Sequence, residues 1–240
     1  KTDCIAAEGV NLSHRFIGYS TLDLRWPEWH NDKFGTNQSA RFFGLGRGLP
    51  EYHLPPGYGI PMHSSEPLWY TSRIINPDPY LPAQELGQHL TLDFTRERGL
   101  KSPMKPVLVR AVNVSHSGLH LWDIGLGVSE YRDEITSELY LSNDCRRLVG
   151  ATAWMLDYGQ VTSLYDLTTG ETLLELKTVQ GARGEILSVE SFSDPEGILF
   201  DPSHQFALEV TYDNKGRENS KAGAYVNLYF EDRAFLRPSR

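Results

Sequence analysis

The chain has 240 residues with a net charge of −8, and its 23 Lys and Arg are scattered rather than gathered into the basic patch that nucleic-acid binding requires. A hydrophobic fraction of 40% with 11% aromatics is enough to bury a core and excludes wholesale disorder. No run reaches the roughly 18 consecutive apolar residues that a membrane-spanning helix needs.

Helical spacing is scarce and short alternating runs recur, with 21 glycines and 14 prolines set between them as turn punctuation. In chain order, "GLGRG" (44–48) has the glycine content of a phosphate-cradling loop, but Leu49-Pro50 follows where a helix N-terminus would have to stand. It reads as a glycine-rich turn. The Pro-rich stretches from Leu49 to Pro67 and from Ile75 to Gln84 cannot be central strands, because proline has no N–H for the ladder. Loops of this kind project from a rigid scaffold, and Tyr52, Tyr58, Tyr80 and the adjoining Trp69 are candidate anchors for a protein partner, with core packing the equal alternative for Trp69.

"HLTLDFT" (89–95) alternates as a strand with Leu90, Leu92 and Phe94 on one face. "KPVLVRAVNV" (105–114) is a fuller strand whose unbroken apolar stretch predicts burial. The least patterned seam, Asn113 to Gly118, is the expected domain boundary, giving domains 1–112 and 113–240.

"GATAWMLDYGQ" (150–160) reads as a strand, a tight turn and a second strand. Trp154 and Leu156 lie two apart and so share a strand face, with Met155 opposite. "TSLYDL" and "TLLELKTV" flank Thr168-Thr169-Gly170 as a hairpin, and strands follow at 205–212 and 224–232. The pattern predicts an all-β fold of two packed antiparallel β-sandwich, jelly-roll-like domains.

Candidate chemistry is sparse. His116 and His120 have helical ligand spacing in a segment that does not read as helix. His53, Met62 and His63 flank a Pro-rich loop and could suit copper, but supply few ligands. There is no G-x-S-x-G elbow, and carboxylates such as Asp133, Glu134 and Glu196 read as solvated. Sequons at Asn11, Asn37 and Asn113 occur at close to chance frequency. Cys4 and Cys145 allow one intramolecular disulfide, which would suit an oxidising compartment; two unlinked buried thiols are the other reading.

Four runs in order carry a family resemblance: "WDIGLGVSEYRDEIT" (122–136), "RRLVGATAWMLDYGQVTSLYDLTTGETLLEL" (146–176), "EGILFDPSHQFALEVTYDN" (196–214) and "GAYVNLYFED" (223–232). Together they resemble the copper type II ascorbate-dependent monooxygenases, and residues 41–62 and 72–77 look like that family's other domain more faintly. The resemblance implies two β-sandwiches, each holding one copper. In the second domain an H-x-H pair would fall on Trp154 and Leu156, and a Met on Tyr225. In the first, a His-His pair would fall on Ser13-His14 and a single His on Ile75. Only His14 of these is a copper ligand type, so the implied copper sites are lost. The expectation is a non-catalytic, periplasmic or extracellular protein without cofactor, a structural or accessory subunit of an envelope or membrane-associated complex. The alternatives are a copper monooxygenase with a site relocated to His53, Met62, His63, His116 or His120, and a sandwich that binds a small ligand or glycan.

Overall fold

The computed structural model describes residues 2–5, 11–19, 41–62, 68–75, 87–96, 100–116 and 118–235. In chain order these form β1 (Thr2–Ile5), β2 (Asn11–Tyr19), β3 (Arg41–Gly46), β4 (Tyr58–Gly59), β5 (Leu68–Ile75), β6 (Gly87–Leu90), β7 (Lys105–Val114), β8 (Trp122–Ile124) and β9 (Gly127–Glu134). A single helical turn, α1 (Thr136–Leu139), precedes β10 (Arg147–Met155), β11 (Gly159–Asp166), β12 (Glu171–Gln180) and β13 (Ile186–Val189). The chain continues through β14 (Ser191–Leu199), β15 (Phe206–Asn214), β16 (Ser220–Ala222) and β17 (Ala224–Glu231). The fold is all-β, a sandwich of antiparallel sheets, as the alternating runs predict.

A central sheet in the order β14-β10-β17-β7-β4 packs on an outer sheet in the order β13-β12-β11-β15-β9. Every contact in both is antiparallel except the short parallel pairing of β4 with β7. Ala224, Val226, Leu228 and Phe230 of β17 point between these sheets, where they meet Leu164 of β11 and Leu208 and Val210 of β15. Phe200 closes one end of this core, 4.8 Å from Phe206 and 5.3 Å from Phe230 between ring centroids. The other face of the central sheet is covered as well: β3 lies against β7, β10 and β17, and the loop 50–60 packs beside it. All eight residues of β17 are therefore buried. Burial on two faces removes the alternation and leaves the near-continuous apolar run that both β7 and β17 show.

The outer sheet has one wet face. β9 alternates accordingly, turning Glu130, Arg132 and Glu134 to solvent. Arg132 pairs with Glu209 of β15 at 2.6 Å and lies over the Tyr165 ring.

Two expectations about elements change. β6 ends at Leu90, which is paired with Thr2 of β1. Residues 91–96 therefore leave the sheet, with Phe94 80% exposed rather than facing a core. The expected seam at Asn113 lies inside β7, where Asn113 is paired with Tyr225 of β17, so residues 105–114 are built together with the second half. Residues 44–60 join the same unit: Leu45 and Leu49 belong to its main core.

Candidate functional site

Trp154, Leu156 and Tyr225, three of the positions that the sequence singles out, lie at one end of the central sheet. β10 and β17 are paired so that Trp154 stands directly across from Tyr225. Their rings stack with centroids 5.2 Å apart and planes at 18°. Beyond Met155 the strand stops: Leu156 donates its N–H to Gly223 O, and the turn closes through Gly159 N–H to Leu156 O with Tyr158 in the left-handed region at φ 68°. Met155 points the other way, as alternation requires, and its sulfur accepts a hydrogen bond from Thr162 Oγ1 in the core.

The "GLGRG" run supplies the lid over this pair. A Cβ on Gly46 would meet Trp154 Cδ1 at 2.5 Å, so glycine is what lets the β3 backbone lie on the indole. Arg47 then reaches Asp157 in the turn after β10 at 2.7 Å, and Gly48 O accepts from Val189 N–H. These glycines seat a loop on the sandwich. His14 stands opposite Gly46 in the β2–β3 ladder, and Ile75 ends β5 in the separate β3-β2-β5 sheet. The side chains of His14 and Ile75 lie outside the described residues.

A second aromatic pair anchors the Pro-rich loop. Tyr52 stacks on Tyr229 at 5.1 Å and donates to Phe192 O of β14 at 3.1 Å. Its hydroxyl crosses directly above Gly150, where a Cβ would sit 1.9 Å away. Burial, followed by the neighbouring Tyr229, pushes the Tyr52 phenol well above its ordinary pKa. Tyr58 is 3% exposed, donates to Pro195 O and accepts from Lys105 Nζ. Tyr52 and Tyr58 are thus internal anchors of the loop, a correction to their expected place on a partner-facing surface. The gain from burying two large rings against Val107, Val109 and Val149 turns them inward. The Trp69 side chain and Tyr80 lie outside the described residues.

Between the two aromatic pairs, Asn227 Nδ2 donates to Thr152 Oγ1 at 3.2 Å with both residues buried. Among the described residues Asn227 Oδ1 has no hydrogen-bond partner.

The candidates for a relocated site have separate surroundings where they are described. His53 pairs with Glu51 at 2.6 Å on the surface, Met62 is exposed, and His63 lies outside the described residues. His116 forms an isolated bridge with Leu119, and its ring packs on Tyr131 at 5.0 Å. His120 is exposed. Among the described residues no group of three or more His, Cys, Asp or Glu could hold a metal ion. Cys145 is buried, and no disulfide is formed among the described residues; the side chain of its expected partner Cys4 lies outside them. No helix among the described residues is long and apolar enough to cross a membrane.

Sequence reasoning missed an ion pair on the opposite end of the sandwich. Asp166, the last residue of β11, lies 2.6 Å from His204 Nδ1 in the loop before β15. An Asp before Thr-Thr-Gly is a readable turn signal. Its partner, 38 residues away, carries no local signal.

No family model matches the chain, and no curated protein matches it. Among solved structures it is similar to the infectious bursal disease virus VP2 subviral particle, with 10% identity and a TM-score of 0.28 over 96% of this chain and 55% of that one. Infectious bursal disease virus Gt strain gives 10% identity and a TM-score of 0.25 over 96% and 54%. The chain spans about half the length of these structures, and scores this low carry no argument about fold or function.

Proposed function

We propose that the chain is a non-catalytic β-sandwich, a structural or accessory subunit that binds protein partners outside the cytoplasm. The observation that supports this reading is the Trp154–Tyr225 stack beneath Gly46. The monooxygenase resemblance assigns copper ligands to Trp154, Leu156 and Tyr225. An indole has no free ring lone pair, leucine has no donor atom, and a buried phenol is a poor ligand for Cu(I). The side chains at these positions do not fit a copper centre, and two of them are committed to packing against each other.

The reading is tested by metal analysis and oxygen uptake on protein purified natively from its source cells, with crosslinking to capture neighbours. Metal-free protein crosslinked to a defined second chain is the expected result. Stoichiometric copper with ascorbate-dependent oxygen consumption overturns it, as does recovery only as a free monomer. The extracytoplasmic placement rests on the same resemblance, and cell fractionation checks it.

A further inference from the structure

One imidazole joins two loops at the end of the sandwich remote from Trp154. His204 Nδ1 lies 2.6 Å from Asp166 Oδ2 and its Nε2 lies 3.8 Å from Asp201 Oδ2. Asp166 is only 5% exposed, and its other oxygen accepts the N–H groups of Thr168 and Thr169 in the β11–β12 turn. Backbone and hydroxyl bonds run alongside: Leu167 N–H to Gln205 O at 2.8 Å, and Gln205 N–H to Thr168 Oγ1 at 2.9 Å. On the far side Phe206 N–H donates to Thr136 Oγ1 at the start of α1. Three connections therefore meet around His204.

The charges are arranged for one protonation state. Neutral imidazole has a single N–H and can satisfy one carboxylate, whereas imidazolium offers an N–H toward each. The charged groups that face His204 are Asp166 from β11 and Asp201 from its own loop. Asp201 is in turn held by Ser203 N–H and Oγ and by the charge of Arg146 at the approach to β10.

We infer that His204 is a pH-dependent clasp: as imidazolium it binds the β14–β15 loop to the β11–β12 turn, and on losing its proton it lets that end of the sandwich loosen. The hydrogen bond to Asp166, then the charges of Asp166 and Asp201, outweigh burial and hold His204 above the ordinary histidine pKa. A group raised in the folded state contributes its stability in full below the unfolded value, about 6.5, and loses it as pH climbs through the folded value. The clasp is closed at pH values below the ordinary histidine pKa and opens as pH rises through the raised folded value.

Amide hydrogen exchange of Thr168, Thr169 and Gln205, corrected for the intrinsic pH dependence of exchange, reads the opening directly. Protection at these three should fall as pH rises through the His204 titration, by about tenfold for each unit that separates its folded and unfolded pKa values. His204→Gln, which keeps a donor but no titrating charge, should make protection independent of pH in this range. Asp201→Asn should lower the His204 pKa while leaving the Asp166 bond in place. The side-chain nitrogen NMR titration of His204 in the unaltered protein gives a reading that needs no variant. A His204 pKa at or below about 6.5 overturns the clasp, as does protection that stays constant through its titration.

Discussion

Trp154 and Tyr225 stand opposite each other across the β10–β17 ladder with their rings stacked at 5.2 Å, and the β3 backbone passes over the indole at Gly46. Cross-strand aromatic pairs on a covered sheet face contribute through both area burial and ring geometry. The contact joins three strands, two from the second half of the chain and one from the first fifth. It is therefore a point at which the N-terminal residues are tied to the sandwich.

Trp154→Ala should cost about 3 kcal/mol in urea unfolding, by loss of buried area and the space left under β3. In a double-mutant cycle with Tyr225→Ala the coupling should be about 1 kcal/mol. Strict additivity would show that the stack contributes no more than the separate burial of each ring.

Gly150 tests the second aromatic anchor. A methyl group there would occupy the space through which Tyr52 Oη reaches Phe192 O. Gly150→Ala should swing the ring aside and cost about 1–3 kcal/mol, with a loss of near-ultraviolet dichroism from the Tyr52–Tyr229 stack. In a Tyr52→Phe background, which removes the clashing oxygen, the same substitution should cost clearly less. Equal costs in both backgrounds would place the strain elsewhere.

Much of the sandwich was legible because its signals are local. The hairpin at Thr168-Thr169-Gly170, the buried strand at 105–114 and the turn after Met155 each follow from a few adjacent residues. What could not be read is what covers each face. Tyr52 and Tyr58 sit among prolines that announce a projecting loop, yet their rings find β14 and β17 more than a hundred residues away. The same long-range pairing defeats the seam at Asn113, since nothing near that residue announces β17 as its neighbour. His204 and Asp166 are a further instance, two common residue types brought together only by the sheet.

Thr152 and Asn227 are a polar pair within a two-sided core. Asn227 donates to Thr152 and its carbonyl oxygen is left without a partner among the described residues. Thr152→Val alone should cost about 1–3 kcal/mol, because it strands a buried N–H as well. Thr152→Val with Asn227→Leu replaces both polar groups at similar volume, and the double variant should be more stable than the sum of the two single effects implies. Thermal and urea unfolding of the three variants measure this. A double variant that is less stable than additivity requires would show that the pair holds the ladder register rather than merely tolerating burial.

Acid stability follows from Asp166. Burial favours its neutral form, but the His204 hydrogen bond, the N–H groups of Thr169 and Thr168 and the His204 charge outweigh this and hold its pKa below the ordinary aspartate value. A carboxyl depressed in the folded state contributes stability that is present above the unfolded pKa, about 3.9, and lost as pH falls through the folded value. Unfolding midpoints measured from pH 7 down to about pH 2 should therefore decline through and below that value. Asp166→Asn should lower the midpoint at pH 7 and flatten the acid decline, since the amide no longer releases a proton on folding. His204→Gln should lower it at pH 5 and spare more of the acid decline than Asp166→Asn does, because the Thr168 and Thr169 N–H groups still favour the carboxylate. An Asp166→Asn variant with an acid decline as steep as that of the unaltered protein would assign the effect to other carboxylates.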